Sequence, residues 1–169
     1  MKTVEKTPNM ITIAPIQPHQ IEDAKAVISA VAQRIFEPDK SPDEFSEILD
    51  HAHELKDVDN AQQVYDGRSG LFLVVLDDGK VIGTGAVRPW KGETAELKRL
   101  WLLEQYHGQG IGYRVVMRLF EFARQCGYKF IRLQTSFKQE RAIAFYKKLG
   151  FVEIPNYASD DDISMEMGL

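Results

Sequence analysis

Residues Tyr106-His107-Gly108-Gln109-Gly110-Ile111-Gly112 form a glycine-rich stretch between an apolar predicted strand and an amphipathic predicted helix. Glycine lets the backbone turn tightly and lets N–H groups approach a ligand without interference from a Cβ atom. The helix that follows adds unpaired N–H groups and the positive end of its dipole. The stretch therefore predicts a cradle for an anion, and phosphate or pyrophosphate suits it best.

Two common nucleotide motifs do not match this stretch. A P-loop needs a lysine and a hydroxyl residue after its last glycine, and both are missing here. A dinucleotide fingerprint needs glycine where the chain has Tyr113, and an acid where the next strand ends in Gln134. The pair Gly83 and Gly85 lies inside a hairpin strand with no helix after it, so it is a weaker match.

The rest of the chain predicts a single α/β domain over residues 10–169, preceded by a flexible tail at residues 1–9. Helical spacing of apolar residues and turn signals such as Asp77-Asp78-Gly79-Lys80 define the elements. Predicted strands cover residues 11–16, 70–76, 81–87, 94–103, 130–134, 151–154 and 163–167. Predicted helices cover residues 19–36, 42–55, the stretch after the glycines up to Gly127, and 140–149. A crossover helix between strands favours parallel pairing, so we expect a mixed sheet, antiparallel in its first half.

Composition indicates a soluble, cytoplasmic protein. The 169 residues include 21 Lys plus Arg, 25 Asp plus Glu and one cysteine, with a net charge of −4. This balance disfavours nucleic-acid binding, because proteins that neutralise phosphate backbones are usually strongly basic. The single Cys126 excludes a disulfide framework and a multi-cysteine metal site. The longest apolar run, residues 71–76, is far shorter than the roughly 20 residues of a membrane span.

Two segments resemble a known family. Residues 96–112 resemble the acetyl-CoA-binding motif of the GCN5-related N-acetyltransferases, whose pattern Gln/Arg-x-x-Gly-x-Gly/Ala is matched at residues 107–112. Residues 141–151 are similar to the closing helix and strand of the same family. The chain departs from the pattern at His107, where Arg or Gln is usual, and at Gln139, where relatives often carry Asn.

The resemblance implies a fold and a reaction. The fold is α/β: a mixed, largely antiparallel sheet of six to seven strands, with helices on both faces and splayed fourth and fifth strands. The reaction transfers an acetyl group from acetyl-CoA, without a metal, to a primary amine of a small molecule or peptide by direct attack in a ternary complex. A non-catalytic acyl-CoA sensor or interaction module is the alternative, and the expected assembly is a monomer or a homodimer.

The resemblance also implies where acetyl-CoA binds. The pyrophosphate contacts the backbone N–H groups of residues 108–112, and the pantetheine arm lies along the fourth strand. The implied cofactor-binding residues are Leu100, Trp101, Leu102, His107, Gly108, Gln109, Gly110, Ile111, Gly112, Gln139, Ala142 and Tyr146. The alternation of residues 94–103 breaks near Leu100, which fits either a bulge or a strand that is buried on both faces.

Tyr146 and Glu96 are the candidate catalytic residues. Tyr146 can give a proton to the departing thiolate, whereas the alternative interpretation is a core tyrosine. Glu96, four residues before Leu100, can accept the amine proton directly or through water. Its alternative interpretation is a salt-bridged strand residue, with Arg99 as the expected partner. A backbone N–H near Leu102 is the implied contact for the carbonyl oxygen.

Two other features lead to predictions. Residues 37–66 carry ten acids and two bases, which favours a cationic acceptor, although a solvated acidic helix face explains them equally well. Cys126 falls on an apolar stripe with Ile111, Val115, Leu119 and Phe122, which predicts an inert core thiol.

Overall fold

The computed structural model describes residues 10–157 and 162–169, which fold around one seven-stranded sheet. The tail predicted at residues 1–9 lies outside the described residues. The predicted order of strands and helices is confirmed, with two short helices added after the second one. Within the described ranges, no helix is both long and apolar enough to cross a membrane.

The sheet has the order β1-β2-β3-β4-β5-β7-β6, and only the β4–β5 pair is parallel. This confirms the mixed, largely antiparallel sheet. The strands are β1 Ile11–Pro15, β2 Leu71–Asp77, β3 Lys80–Lys91, β4 Thr94–Leu102, β5 Phe130–Ser136, β6 Val152–Ile154 and β7 Asp162–Gly168.

Helices cover both faces of the sheet, as expected. They are α1 Ile21–Phe36, α2 Pro42–His51, α3 Lys56–Asp59, α4 Ala61–Val64, α5 Ile111–Gln125 and α6 Glu140–Leu149. One core cluster contains the buried residues of α5 and α6, and a second contains those of α1, α3 and α4. The central strands separate the two clusters, because alternate side chains of a strand point to opposite faces.

Strands β4 and β5 diverge after a short parallel stretch. Residues Thr94–Glu96 pair with Phe130–Arg132, and no later residue of β4 pairs with β5. The splay implied by the family resemblance is therefore present. It leaves the second half of β4 with an open edge, whose N–H and C=O groups need other partners.

The irregularity in β4 is a bulge centred on Arg99. Thr84 of β3 pairs with Trp101, whereas Ala86 pairs with Lys98, so one extra residue of β4 is accommodated between them. Arg99 takes a φ of +55°. The Thr84 hydroxyl donates to the Arg99 carbonyl oxygen at 2.6 Å and holds the bulge in place.

Helix α2 ends at His51 and not at Leu55 as predicted. His53 has a φ of +55°, and the N–H of Glu54 donates to the Leu49 carbonyl at 3.1 Å. This is the hydrogen bond of a Schellman motif, which terminates helices at a left-handed residue. That position is usually glycine, so the sequence carried no ordinary stop signal here.

Cys126 is exposed, so the prediction of a core thiol is wrong. Helix α5 ends at Gln125, which places Cys126 beyond the last turn that packs on the sheet. Its thiol donates to the Arg68 carbonyl oxygen at 3.2 Å. Phe122 is only partly buried. The residues that α5 does bury are Ile111, Val115, Val116, Leu119, Phe120 and Ala123.

Candidate active site

A cavity of about 930 Å³ lies where the open end of β4, the glycine-rich loop and α6 meet. Residues of α1 between Ala30 and Ile35 complete its wall. Every predicted cofactor-binding residue except Gln109 lines it: Leu100, Trp101, Leu102, His107, Gly108, Gly110, Ile111, Gly112, Gln139, Ala142 and Tyr146. Glu96 does not line this cavity. The structure thus gathers two distant sequence segments around one space.

The glycine-rich loop presents unpaired N–H groups. Gly108 and Gly110 have φ values of +78° and +75°, a region that residues with a Cβ atom adopt only at a cost. The first helical bond of α5 runs from the Arg114 N–H to the Gly110 carbonyl at 3.1 Å. Among the described residues, the N–H groups of residues 108–113 have no backbone acceptor. Together with the helix dipole, they suit the pyrophosphate predicted here.

His107 ties the loop to the end of β4. Its Nε2 lies 2.9 Å from the Leu102 carbonyl oxygen. Leu103 donates to the Ile82 carbonyl at 3.0 Å, while Leu102 lies opposite Gly83. Because hydrogen-bonded and non-hydrogen-bonded pairs alternate in an antiparallel ladder, the Leu102 N–H points away from β3. It therefore faces the gap that the splay opens.

Tyr146 is at once a core side chain and part of the cavity wall. It is 7% exposed, and its ring packs against Phe145 and Phe151 with centroid separations of 5.8 and 5.7 Å. Burial raises the pKa of the Tyr146 phenol above its usual value near 10. The phenol therefore keeps its proton at neutral pH.

Gln139 begins α6 and is engaged within the protein. The Thr135 hydroxyl donates to its side-chain oxygen. A ligand in the cavity can therefore meet the Gln139 amino group, while the oxygen already has a partner.

Glu96 forms an ion pair with Arg88, so the expected pairing with Arg99 is wrong. The Arg88 Nε lies 3.0 Å from Glu96 Oε2, across the β3–β4 ladder. Arg99 reaches Asp57 instead, with 2.6 Å between Nη2 and Oδ1. The reason is the bulge, which interrupts the regular alternation of β4 after Lys98.

Thr84 is a site residue that the sequence reasoning missed. It is 1% exposed, lines the cavity and fixes the bulge. The available signal was a lone hydroxyl between Gly83 and Gly85 in an otherwise apolar strand. Those two glycines allow close packing, since a Cβ at Gly85 would lie 2.5 Å from Val115 Cγ1.

Comparison with known proteins identifies the family. A model described as the acetyltransferase (GNAT) family matches residues 32–151. The uncharacterized N-acetyltransferase YjgM of Escherichia coli is 32% identical over 100 residues, covering 57% of this chain and 60% of that protein. The IAA acetyltransferase of Azospirillum brasilense is 35% identical over 83 residues, covering 48% and 54%. The chain thus matches less than two thirds of the length of these relatives.

Solved structures show the same fold. The PaiA N-acetyltransferase of Thermoplasma acidophilum, in complex with coenzyme A, has a TM-score of 0.79 and 20% identity, covering 95% of this chain and 99% of that one. The yncA protein of Salmonella typhimurium, with acetyl-CoA, has a TM-score of 0.65 and 16% identity, covering 94% of each chain. The family model spans well over half of the chain and includes both sequence motifs. The chain therefore belongs to the acetyltransferase (GNAT) family.

Proposed function

We propose that the protein is an N-acetyltransferase that moves an acetyl group from acetyl-CoA to a primary amine of a small molecule or peptide. The observation that carries the proposal is the single cavity shared by the glycine-loop N–H groups, the open edge of β4 and Tyr146. Family membership supports acetyl transfer in general. Structural neighbours with coenzyme A or acetyl-CoA support the choice of cosubstrate.

The cavity residues fit acetyl-CoA in shape and chemistry. Backbone N–H groups of residues 108–112 would bind the pyrophosphate, with Gln109 contributing only its backbone. The open edge of β4 from Leu100 to Leu102 would pair with the amides of the pantetheine arm. The volume of about 930 Å³ falls within the ordinary range for ligand sites.

The chain's own groups can assist each part of the transfer. The acceptor nitrogen forms a bond to the thioester carbonyl carbon, and the carbon–sulfur bond breaks. The Leu102 N–H would stabilise the negative charge on the carbonyl oxygen. Tyr146 would donate its proton to the departing thiolate and recover one from solvent. Deprotonating a lysine-like amine at pH 7 costs about 4.6 kcal/mol. Glu96 lies outside the cavity, so it would accept that proton through water.

An assay over a panel of amines with acetyl-CoA, measured as released thiol, tests the proposal. Because the Cys126 thiol is exposed and open to thiol reagents, the assay uses Cys126→Ser as its background control. We expect sustained thiol release with at least one class of amine. Tight binding of acetyl-CoA without turnover on any amine or peptide would contradict the proposal and favour a sensor.

A further inference from the structure

A second pocket, of about 670 Å³, opens beside the bulge of β4. We call it the basic pocket, because four bases and two acids line it: Lys56, Arg88, Lys98, Arg99, Glu54 and Asp57. Its wall includes part of the acidic segment 37–66, yet its own charge balance is positive. The charge of the segment is therefore a poor guide to the charge of the pocket.

The bulge explains why two successive basic residues face the same pocket. Leu97 and Leu100 belong to the core cluster that contains α5, whereas Trp101 packs against the cluster that contains α1. Strict alternation would place Leu97 and Leu100 on opposite faces. The extra residue at Arg99 resets the alternation, so Lys98 and Arg99 both project into the basic pocket.

Lys98 is the half-buried base of the pocket that has no ion-pair partner among the described residues, whereas Lys56 and Glu54 are both exposed to solvent. Arg88 is paired with Glu96, and Arg99 with Asp57. Among the described residues, no carboxylate oxygen lies within 4 Å of the Lys98 amine. Burial, followed by the charges of Arg88 and Arg99, lowers the pKa of Lys98. A bound anion would supply the missing opposite charge and would raise the pKa of Lys98 again.

The basic pocket adjoins the acetyl-CoA cavity through the bulge itself. Leu100 lines the cavity, and Lys98 lines the pocket. Two residues of chain span at most about 7 Å. Thr84, which also lines the cavity, is bonded to the Arg99 carbonyl. The two spaces therefore lie next to each other along β4, and an acceptor that reaches both must pass the bulge.

We infer that the acceptor carries a carboxylate beside its amine, and that Lys98 binds this carboxylate in the basic pocket. The inference rests on the proposed function and narrows its substrate class. One half-buried base without a carboxylate partner, Lys98, matches a monoanion, whereas a polyamine would place a second positive charge against it. The acids of segment 37–66 repel a carboxylate acceptor less than their number suggests. Asp50 and Asp59 pair with Lys25, and Asp57 pairs with Arg99.

The test compares acceptors that differ only in the carboxylate. The acceptors are amino acids and their carboxamides, with the amine placed at positions from α to ω. They are assayed with acetyl-CoA, and putrescine serves as the cationic probe. The proteins are the wild type, Lys98→Met, Lys98→Arg and, as a charge-matched control, Lys80→Met at the exposed start of β3. Calorimetric titration of the same probes into the coenzyme A complex measures binding without turnover.

We expect both kcat/KM and binding affinity to be at least roughly tenfold higher for a carboxylate acceptor than for its carboxamide. A contact between opposite charges that contributes about 1.4 kcal/mol gives this ratio. Lys98→Met should abolish this ratio with acetyl-CoA affinity unchanged, while Lys98→Arg and Lys80→Met should retain it. Equal or better use of carboxamides or putrescine would overturn the inference and leave the proposed function standing. Absence of carboxylate preference in calorimetry would overturn it even if no amine is acetylated.

Discussion

Tyr146 packs in the core and also lines the cavity. Substitution by phenylalanine separates these two roles, because it removes only the hydroxyl oxygen. We expect Tyr146→Phe to keep the ring contacts with Phe145 and Phe151 and to lower kcat by roughly 100-fold, which is typical for loss of an acid–base group. The dissociation constant of acetyl-CoA should stay within about twofold, because the proposed binding mode relies mainly on backbone groups. Steady-state kinetics and equilibrium titration measure the two quantities.

Tyr128→Phe is the matched control for Tyr146→Phe. The Tyr128 hydroxyl donates to the Ser69 carbonyl, and Tyr128 does not line the cavity. This control should retain wild-type kcat. Equal kcat values for Tyr146→Phe and the wild type would leave Tyr146 as a core tyrosine only.

Glu96 can be tested for a structural and a catalytic role in one experiment. Its side chain is 8% exposed and that of Arg88 30%, so Glu96→Gln should lower the free energy of unfolding by about 1–3 kcal/mol. If Glu96 also accepts the amine proton, Glu96→Gln should lower kcat/KM at neutral pH by roughly 100-fold, which is typical for loss of an acid–base group.

The control for Glu96→Gln is Arg88→Gln, which breaks the same ion pair and leaves the carboxylate in place. Arg88→Gln should lose stability but retain kcat/KM. A wild-type kcat/KM in Glu96→Gln would assign Glu96 a structural role alone.

At the scale of elements, β3 and α5 pack closely because Gly85 has no side chain. A Cβ atom there would lie 2.5 Å from Val115 and 3.3 Å from both Leu100 and Leu119. Val115 is 1% exposed and cannot move aside easily. We expect Gly85→Ala to lower the free energy of unfolding by about 1–3 kcal/mol, as overpacked cores do. Urea denaturation measures this change.

Gly168→Ala in β7 is the control for this packing, since nothing lies within 4 Å of its added Cβ. It should leave stability nearly unchanged. Adding Val115→Ala to Gly85→Ala should recover part of the loss, because it removes the clashing methyl groups. Additive losses in the double variant would show that the β3–α5 contact is not the cause.

Elements with local signals were predictable from sequence, and those that depend on tertiary contacts were not. The Ser41-Pro42 start of α2 carries its own capping box, so it was found correctly. Its end at His51 was missed, because the left-handed residue that follows, His53, carries no glycine-like signal. The exact form of the β4 irregularity was also left open, since the bulge depends on Thr84 and Gly85 in the neighbouring strand.

At the scale of the whole molecule, the net charge of −4 hides how the charges are arranged. Cavity residues in β4, the glycine-rich loop and α6 were predicted because two family motifs specify them, whereas Thr84 and the α1 residues of the wall carry no such motif. The basic pocket was not, because it joins residues 52–64 to residues 88–99 only after folding. Its four bases are Lys56, Arg88 and the adjacent pair Lys98 and Arg99, so no longer run of basic charge marks them in the sequence.

The ion pair that joins these two segments connects global stability to pH. Asp57 accepts from Arg99 at 2.6 and 3.2 Å and from the Tyr65 hydroxyl at 2.6 Å. Burial tends to raise the pKa of Asp57, but Arg99 and Tyr65 hold it below the usual range. Its carboxylate therefore stabilises the fold above a pH of about 3.9, the usual pKa of an unfolded aspartate.

As the pH falls from about 3.9 through the lower folded pKa of Asp57, this stabilisation is lost. Asp57→Asn should cost about 3–5 kcal/mol at pH 7, because it leaves Arg99 with a buried, uncompensated charge. Below pH 4, its unfolding free energy should fall less steeply with decreasing pH than that of the wild type. Tyr65→Phe, which removes one of the bonds that lower the Asp57 pKa, should give an intermediate slope. Urea denaturation across this range measures the slopes, and parallel curves would exclude Asp57 as a source of acid sensitivity.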